Sequence, residues 1–385
     1  MSTSDPARPA ATGVKGWLRY AALVGAGLAA AGFLVVASGI VPIKASAGHW
    51  AITRWFLSFA MQRSVTTHAL AVTPPPLDEP WLVLKGAGHY DFGCRPCHGS
   101  PGQGPPTIAL AMTPSPPYLP PAIGEWGPEE LYYIVKHGVK FTAMPAWPAG
   151  QRDDEVWAMV AFLRKLPGLD PPGYRRLVRG DQAAAEVARG PGAVTARCSP
   201  CHGVDGNGRG LGAFPKLAGQ RPAYLLASLE AFARGERHSG IMTPIAAGLG
   251  GDEMGELSRY YASLPERAPP EFSHPDRTAP ELGEAIAQHG LPAQRVPACA
   301  PCHGPGTSLR NPIYPHLAGQ YADYLALQLR LFKDDLRGGT PYAHIMRMVA
   351  GRLTPAQMRA VAAYYASLPP VPARHPRQDG ADKGS

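Results

Sequence analysis

Every cysteine in the chain lies in one of three Cys-x-x-Cys-His motifs: Cys94-Arg95-Pro96-Cys97-His98, Cys198-Ser199-Pro200-Cys201-His202 and Cys299-Ala300-Pro301-Cys302-His303. Two thiols at that spacing can add to the two vinyl groups of one porphyrin, and the imidazole that follows is then held beneath the iron. A zinc site wants four ligands from paired Cys and His clusters. A redox pair or a structural disulfide needs only the thiols. None of these requires histidine in the fifth position three times. The motifs therefore imply three covalently bound haem c groups, each with its iron, attached through Cys94, Cys97, Cys198, Cys201, Cys299 and Cys302 and ligated by His98, His202 and His303. They recur about 100 residues apart in a chain of 385. That length holds about two to four domains of ordinary size, so one small domain per motif is the economical division.

Composition agrees with loops wrapped round a large apolar cofactor. The 44 glycines and 44 prolines together make nearly twice the ordinary share of about 12%. The formal net charge of +8 would ordinarily point to an acidic partner or an anionic surface. The propionates of three haems offset most of it, so it is not read as nucleic-acid binding.

The N-terminus sets the compartment. Tyr20 to Ile43 carries no charge except at its flanks, where Arg8, Lys15 and Arg19 precede it. As a helix it spans about 36 Å, enough for a hydrocarbon layer of about 30 Å. The basic flank favours an inside N-terminus and an exported remainder. A retained single-pass anchor in the bacterial inner membrane is the favoured reading, because a signal core is usually about 7 to 15 residues. Cleavage after Ala47 in Ala45-Ser46-Ala47 is the rival. Both readings put the haem domains in the periplasm. Ile52, Trp55, Phe56 and Phe59 then form an apolar stripe on one helical face, as in a helix lying in the membrane interface; packing against the first haem domain or a partner's membrane helix is equally open. Val72-Thr73-Pro74-Pro75-Pro76 reads as a stiff spacer that keeps the redox domains off the bilayer.

Internal repetition joins the last two domains. Phe214-Pro215-Lys216-Leu217-Ala218-Gly219-Gln220 returns as Tyr314-Pro315-His316-Leu317-Ala318-Gly319-Gln320, and Tyr260-Tyr261-Ala262-Ser263-Leu264 as Tyr364-Tyr365-Ala366-Ser367-Leu368. The expected secondary structure is helical, with no alternating β-branched run to build a sheet. Pro128 and Gly138 bracket a helix, Thr354 and Gln357 form a capping box that opens another to about Leu368, and closing helices are expected from about Asp154 to Leu166 and Asp252 to Leu264. Each domain thus reads as an opening helix, the motif, a loop, a middle helix, a methionine loop and a closing helix.

That order, over about residues 81 to 370, resembles class I cytochrome c. The second and third domains are similar to the periplasmic di-haem cytochrome c-four type, whose Pro-x-Leu-Ala-Gly-Gln and methionine-loop patterns they carry. The resemblance implies a Met as sixth ligand on each iron and a Pro carbonyl orienting each proximal imidazole. Met144, Met242 and Met346 are the Met candidates, with Met348 the rival of Met346; Pro215 and Pro315 match the proline, while Pro105 and Pro106 compete for that role in the first domain. Met159, Met254 and Met358 read as core packing, and Lys140, Arg237 and Arg347 as solvated residues.

The expected architecture is all-α: three consecutive class I cytochrome c domains behind an N-terminal transmembrane helix. Its divisions are a cytoplasmic tail (1–19), the anchor (20–43), an interfacial helix and Pro-rich linker (44–80), three cytochrome domains (81–172, 173–275, 276–370) and a disordered tail (371–385). His/Met ligation saturates the iron and raises its potential, so the chain is expected to carry electrons and to have no catalytic residues or small-molecule substrate. The expected donor is a quinol-oxidising bc complex or a dehydrogenase, and the acceptor a haem-copper oxidase, both redox proteins of the membrane or periplasm. A cytochrome subunit of a membrane-bound alcohol or sugar dehydrogenase is the alternative, and a haem peroxidase a remoter one.

Overall fold

The computed structural model describes residues 13–180, 192, 197–268, 280–304 and 310–370. The expected disordered tail, most of the cytoplasmic tail and the opening helix of the second domain lie outside them. Among the described residues the secondary structure is helical, with isolated bridges and no named strand. The longer helices are α1 (Gly13–Ala37), α2 (Ala51–Ala69), α3 (Pro80–Gly93), α4 (Pro128–His137), α5 (Asp153–Lys165), α6 (Pro171–Arg179), α7 (Pro222–Ala233), α8 (Met242–Ala247), α9 (Gly251–Ser263), α10 (Pro280–His289), α11 (Ala322–Lys333), α12 (Ala343–Gly351) and α13 (Pro355–Ser367). Each haem motif forms a single helical turn: Arg95–His98, Ser199–His202 and Ala300–His303.

Helix α1 contains a 22-residue apolar span, Gly16–Ala37, with a mean hydropathy of 2.0 and no burial against the rest of the chain. It stops short of the expected Ile43. Gly39 at φ +72° turns the backbone out of the helix, and Pro42 follows three residues on. Helix α2 divides the two readings of its stripe. Its N-terminal half leaves Ile52, Trp55, Phe56 and Phe59 exposed. Its C-terminal half packs on α4, where His68 stacks on Tyr133 and the Thr66 hydroxyl donates to Glu130 at 2.9 Å. The proline segment is not a free spacer. Val72 and Leu77 pack on the first domain's core, and Lys165 reaches Asp78. Val72 and Leu77, on either side of the three prolines, give the segment apolar side chains to bury.

In the first domain α3 crosses α5 closely. Gly86 makes this possible, because a Cβ there would collide with the carbonyl of Ala158. Gly283 plays the same part where α10 crosses α13, facing the carbonyl of Ala360. Met159, Met254 and Met358 are buried core residues. Tyr174 and Val178 of α6 join the core beneath α3, so the packing of the first domain continues past residue 172. The anticipated caps form: Pro128 opens α4, Gly138 ends it at φ +66°, and Thr354 and Gln357 exchange side-chain hydrogen bonds with each other's backbone at the start of α13.

The second and third domains meet through a pseudo-twofold seam. Gln220 donates to the His316 carbonyl at 3.0 Å and accepts from the His316 N–H at 2.9 Å. Gln320 does the same with Lys216, at 3.0 Å each way. Arg237 donates to the Tyr324 hydroxyl at 3.0 Å, and Arg337 to the Tyr224 hydroxyl at 2.7 Å. Arg237 is thus buried rather than solvated; the sequence motif around it carries no hint of the neighbour that covers it.

Candidate haem-binding site

Each Cys-x-x-Cys-His turn ends at a glycine of positive φ, Gly99, Gly203 or Gly304, which lets the chain leave the turn directly after the histidine. In every domain a tyrosine hydroxyl donates to that glycine's carbonyl: Tyr90 to Gly99 at 2.7 Å, Tyr261 to Gly203 at 3.4 Å and Tyr365 to Gly304 at 2.9 Å. Tyr261 and Tyr365 come from the closing helices α9 and α13, whereas Tyr90 comes from the opening helix α3. The repeated Tyr-Tyr-Ala-Ser-Leu segment was the sequence signal for two of these; nothing comparable marks Tyr90.

The three imidazoles are held alike. Nδ1 of His98 lies 2.9 Å from the Pro117 carbonyl, Nδ1 of His202 3.2 Å from that of Pro215, and Nδ1 of His303 3.2 Å from that of Pro315. A carbonyl oxygen can only accept, so Nδ1 carries the proton and Nε2 keeps its lone pair for a metal. Burial lowers the pKa of all three, keeping them neutral. In the first domain the accepting residue is Pro117, not Pro105 or Pro106, because the longer loop of this domain returns to the imidazole later in the sequence.

No disulfide joins any of the six cysteines. Burial pushes Cys94 and Cys201 up to about 12 and Cys198 and Cys299 up to about 11. Thiols held this far up lack the lowered pKa of a redox-active Cys-x-x-Cys pair.

A cavity of about 340 Å³ is lined by Cys198, Cys201, His202 and Met242 and, continuing across the seam, by Cys299, Cys302, His303 and Met346. Both sets of expected ligands thus open onto one apolar space. Met346 lines it, whereas Met348 does not and is 55% exposed. Met242 and Met346 sit on the short helices α8 and α12 rather than on open loops. The cavity does not include His98 or Met144; Met144 lies in the loop between α4 and α5, its N–H bonded to the Thr142 hydroxyl at 3.1 Å. Arg237 and Arg337 also line the cavity, and among the described residues neither has a carboxylate partner; Nε of Arg337 is buried with no acceptor. Two buried guanidiniums without counter-charge suit the carboxylates a haem carries. Together with the thiol pairs and the oriented imidazoles, they fit covalently bound haem c.

Residues 82–163 match the family described as cytochrome c oxidase, cbb3-type, subunit III, and residues 187–264 and 282–369 match cytochrome c. A cytochrome c4 from Thiocapsa roseopersicina is 38% identical over 200 residues, 49% of this chain and 98% of the relative. A thiosulfate dehydrogenase electron acceptor from Thiomonas intermedia (strain K12) is 36% identical over 179 residues, 46% of this chain and 82% of the relative. The solved structure of reduced recombinant cytochrome c4 from Pseudomonas stutzeri is 31% identical and covers 49% of this chain and 98% of that one, with a TM-score of 0.40. The chain belongs to the class I c-type cytochromes, and its second and third domains place it with the cytochrome c4 family. Its cofactor is covalently bound haem c and its work is electron transfer.

Proposed function

We propose that the chain is a membrane-anchored tri-haem electron carrier of the periplasmic face, with α1 retained as the anchor. The observation that carries this is the threefold arrangement of a proximal histidine whose Nδ1–H is fixed by a proline carbonyl. Haem iron, when bound, supplies reversible one-electron chemistry. His98, His202 and His303 would ligate it on one side and Met144, Met242 and Met346 on the other, leaving no position for a substrate. The proline carbonyls hold the three imidazoles in place.

The relatives narrow the partners. The first domain matches a family named for an oxidase subunit, and this supports a haem-copper oxidase as acceptor. Two relatives of the later domains are named as electron acceptors of thiosulfate dehydrogenase. We favour a periplasmic or membrane dehydrogenase as donor, with thiosulfate as the first substrate class to try and a quinol-oxidising bc complex as the alternative. The test takes full-length protein from membranes. Intact mass should exceed the apoprotein by three haems, and the chain should stay with the membrane after salt washing. The reduced protein should be reoxidised by membranes containing a haem-copper oxidase. A gain of two haems, or a mature chain beginning at Gly48, would overturn the corresponding part.

A further inference from the structure

Helix α3 ends at Gly93 and runs directly into Cys94 of the first motif. Less than two turns earlier it touches the second. A Cβ at Gly88 would stand 2.9 Å from Sγ of Cys201 and 2.9 Å from the ring of Phe214. Leu84, one turn further back, packs with Ala213 and Phe214. His89, on the same helix, lines the cavity that holds Cys198, Cys201, His202 and Met242, although it belongs to a different domain. It is 5% exposed, and its Nδ1 has no hydrogen-bond partner among the described residues.

Leaving a buried polar atom unsatisfied is costly, so its retention at a cofactor cavity points to a group that is met only when the cofactor is in place. Lys85 and Arg152 line the same wall. Their charges are already taken up, since Lys85 Nζ lies 2.9 Å and Arg152 Nε 2.7 Å from the Asp154 carboxylate. That leaves Nδ1 of His89 as the polar atom of this wall with no partner among the described residues.

We propose that the second haem site is completed by the first domain: His89 is the polar contact that α3 offers to the periphery of that haem, and the Gly88–Cys201 contact is where an electron crosses between the first and second sites. This rests on the reading of one haem at each motif. The step makes and breaks no bond and moves no proton; an iron(II) centre in one site is oxidised as an iron(III) centre in the other is reduced. His89 is a positioning residue, acting on the potential of the second site rather than ligating its iron.

The test uses the full-length holoprotein. Gly88→Val inserts a side chain where even a Cβ is too close, so the first domain must lift from Cys201. Exchange between the first and second sites, followed after rapid photoreduction, should slow severalfold, while exchange between the second and third is unchanged. His89→Leu leaves both motifs intact. It should raise the potential of one haem, because an apolar wall stabilises ferric charge less well, and leave the other two unshifted. A Gly88→Val chain that loses one haem, with His89→Leu still shifting a single potential, also supports the shared site. Unchanged exchange in a Gly88→Val protein that keeps three haems, or three unshifted potentials in His89→Leu, overturns it. A wild-type mass gain other than three haems would instead sink the tri-haem reading itself.

Discussion

The carboxylate of Glu155 is the tie between the first two domains, and removing it should undock them. Glu155 is 2% exposed. It accepts from the Trp147 indole N–H at 3.0 Å within its own domain, and from the Ser239 hydroxyl and the Gly240 N–H of the second domain at 2.7 Å each. Arg152 lies 3.1 Å away and also donates to the His238 carbonyl. Breaking a buried ion pair costs about 3–5 kcal/mol, chiefly through the charge left behind. Here Arg152 keeps Asp154 at 2.7 and 3.0 Å, so the lower end applies. Glu155→Ala should therefore weaken the docking by about 3 kcal/mol, or about a hundredfold in the opening equilibrium. Hydrogen exchange at the Ile241 and Met242 amides reads this, because both are bonded to the Ser239 hydroxyl of their own domain rather than to Glu155, while their side chains pack on the first domain's core. The amides of α13, remote from the tie, serve as the internal standard. If Ile241 and Met242 exchange no faster relative to α13 than in the wild type, the carboxylate is not what holds the two domains.

Met346→Ala should abolish the sulfur-to-iron charge-transfer absorption of one haem and lower its potential, whereas Met348→Ala should change neither, because only Met346 lines the cavity. Burial raises the Glu266 carboxyl from the usual 4.5 to about 7 beside Lys216. The folded chain thus binds this proton more tightly than the unfolded chain. Its contribution to stability is full below about pH 4.5 and is lost as pH rises to about 7, so the gap in Tm between wild type and Glu266→Gln should change across that window and be flat above it. A chain beginning at Leu77 removes the buried Val65 and Ala69 of α2 from α4. It should lose about 1.5–3 kcal/mol of apolar burial and melt below a chain beginning at Gly39, which keeps that contact.

What the sequence disclosed is local. The haem motifs, the capping box at Thr354 and Gln357, the Pro128 and Gly138 bracket and the closing helices each depend on a few neighbouring residues, and α5, α9 and α13 lie within a residue or so of their expected limits. Pro117 escaped notice because its partnership with His98 spans a loop with several prolines, and nothing local ranks one carbonyl above another. The apolar run to Ile43 outlasts its helix because hydropathy does not register Gly39. Nothing in the sequence singled out Lys85, Arg152, Asp154 and Glu155 as a buried cluster, because charge normally marks an exposed face. Only the glycines of α3 hinted otherwise, since Gly86 and Gly88 in a helix signal that something approaches closely on either side.

The two interfaces between haem domains differ in how they could be seen. The seam between the second and third is isologous in character: the glutamine of each side donates to a backbone carbonyl of the other, and the arginine of each side to the other's tyrosine, across a pseudo-twofold axis. Such an interface must be self-complementary, so both halves carry the glutamine, the tyrosine and the arginine at the same offset; the repeat disclosed the shared fold, and the structure adds the contact. The contact between the first and second domains is heterologous. Glu155 meets Ser239 and Gly240, and Gly88 meets Cys201, with no reciprocal partner on either side. No comparison of the chain with itself can reveal a surface of that kind. The docking residues of the cytochrome c4-like pair thus recur in its repeat, whereas those of the first domain, Gly88, Arg152 and Glu155, meet the second domain singly.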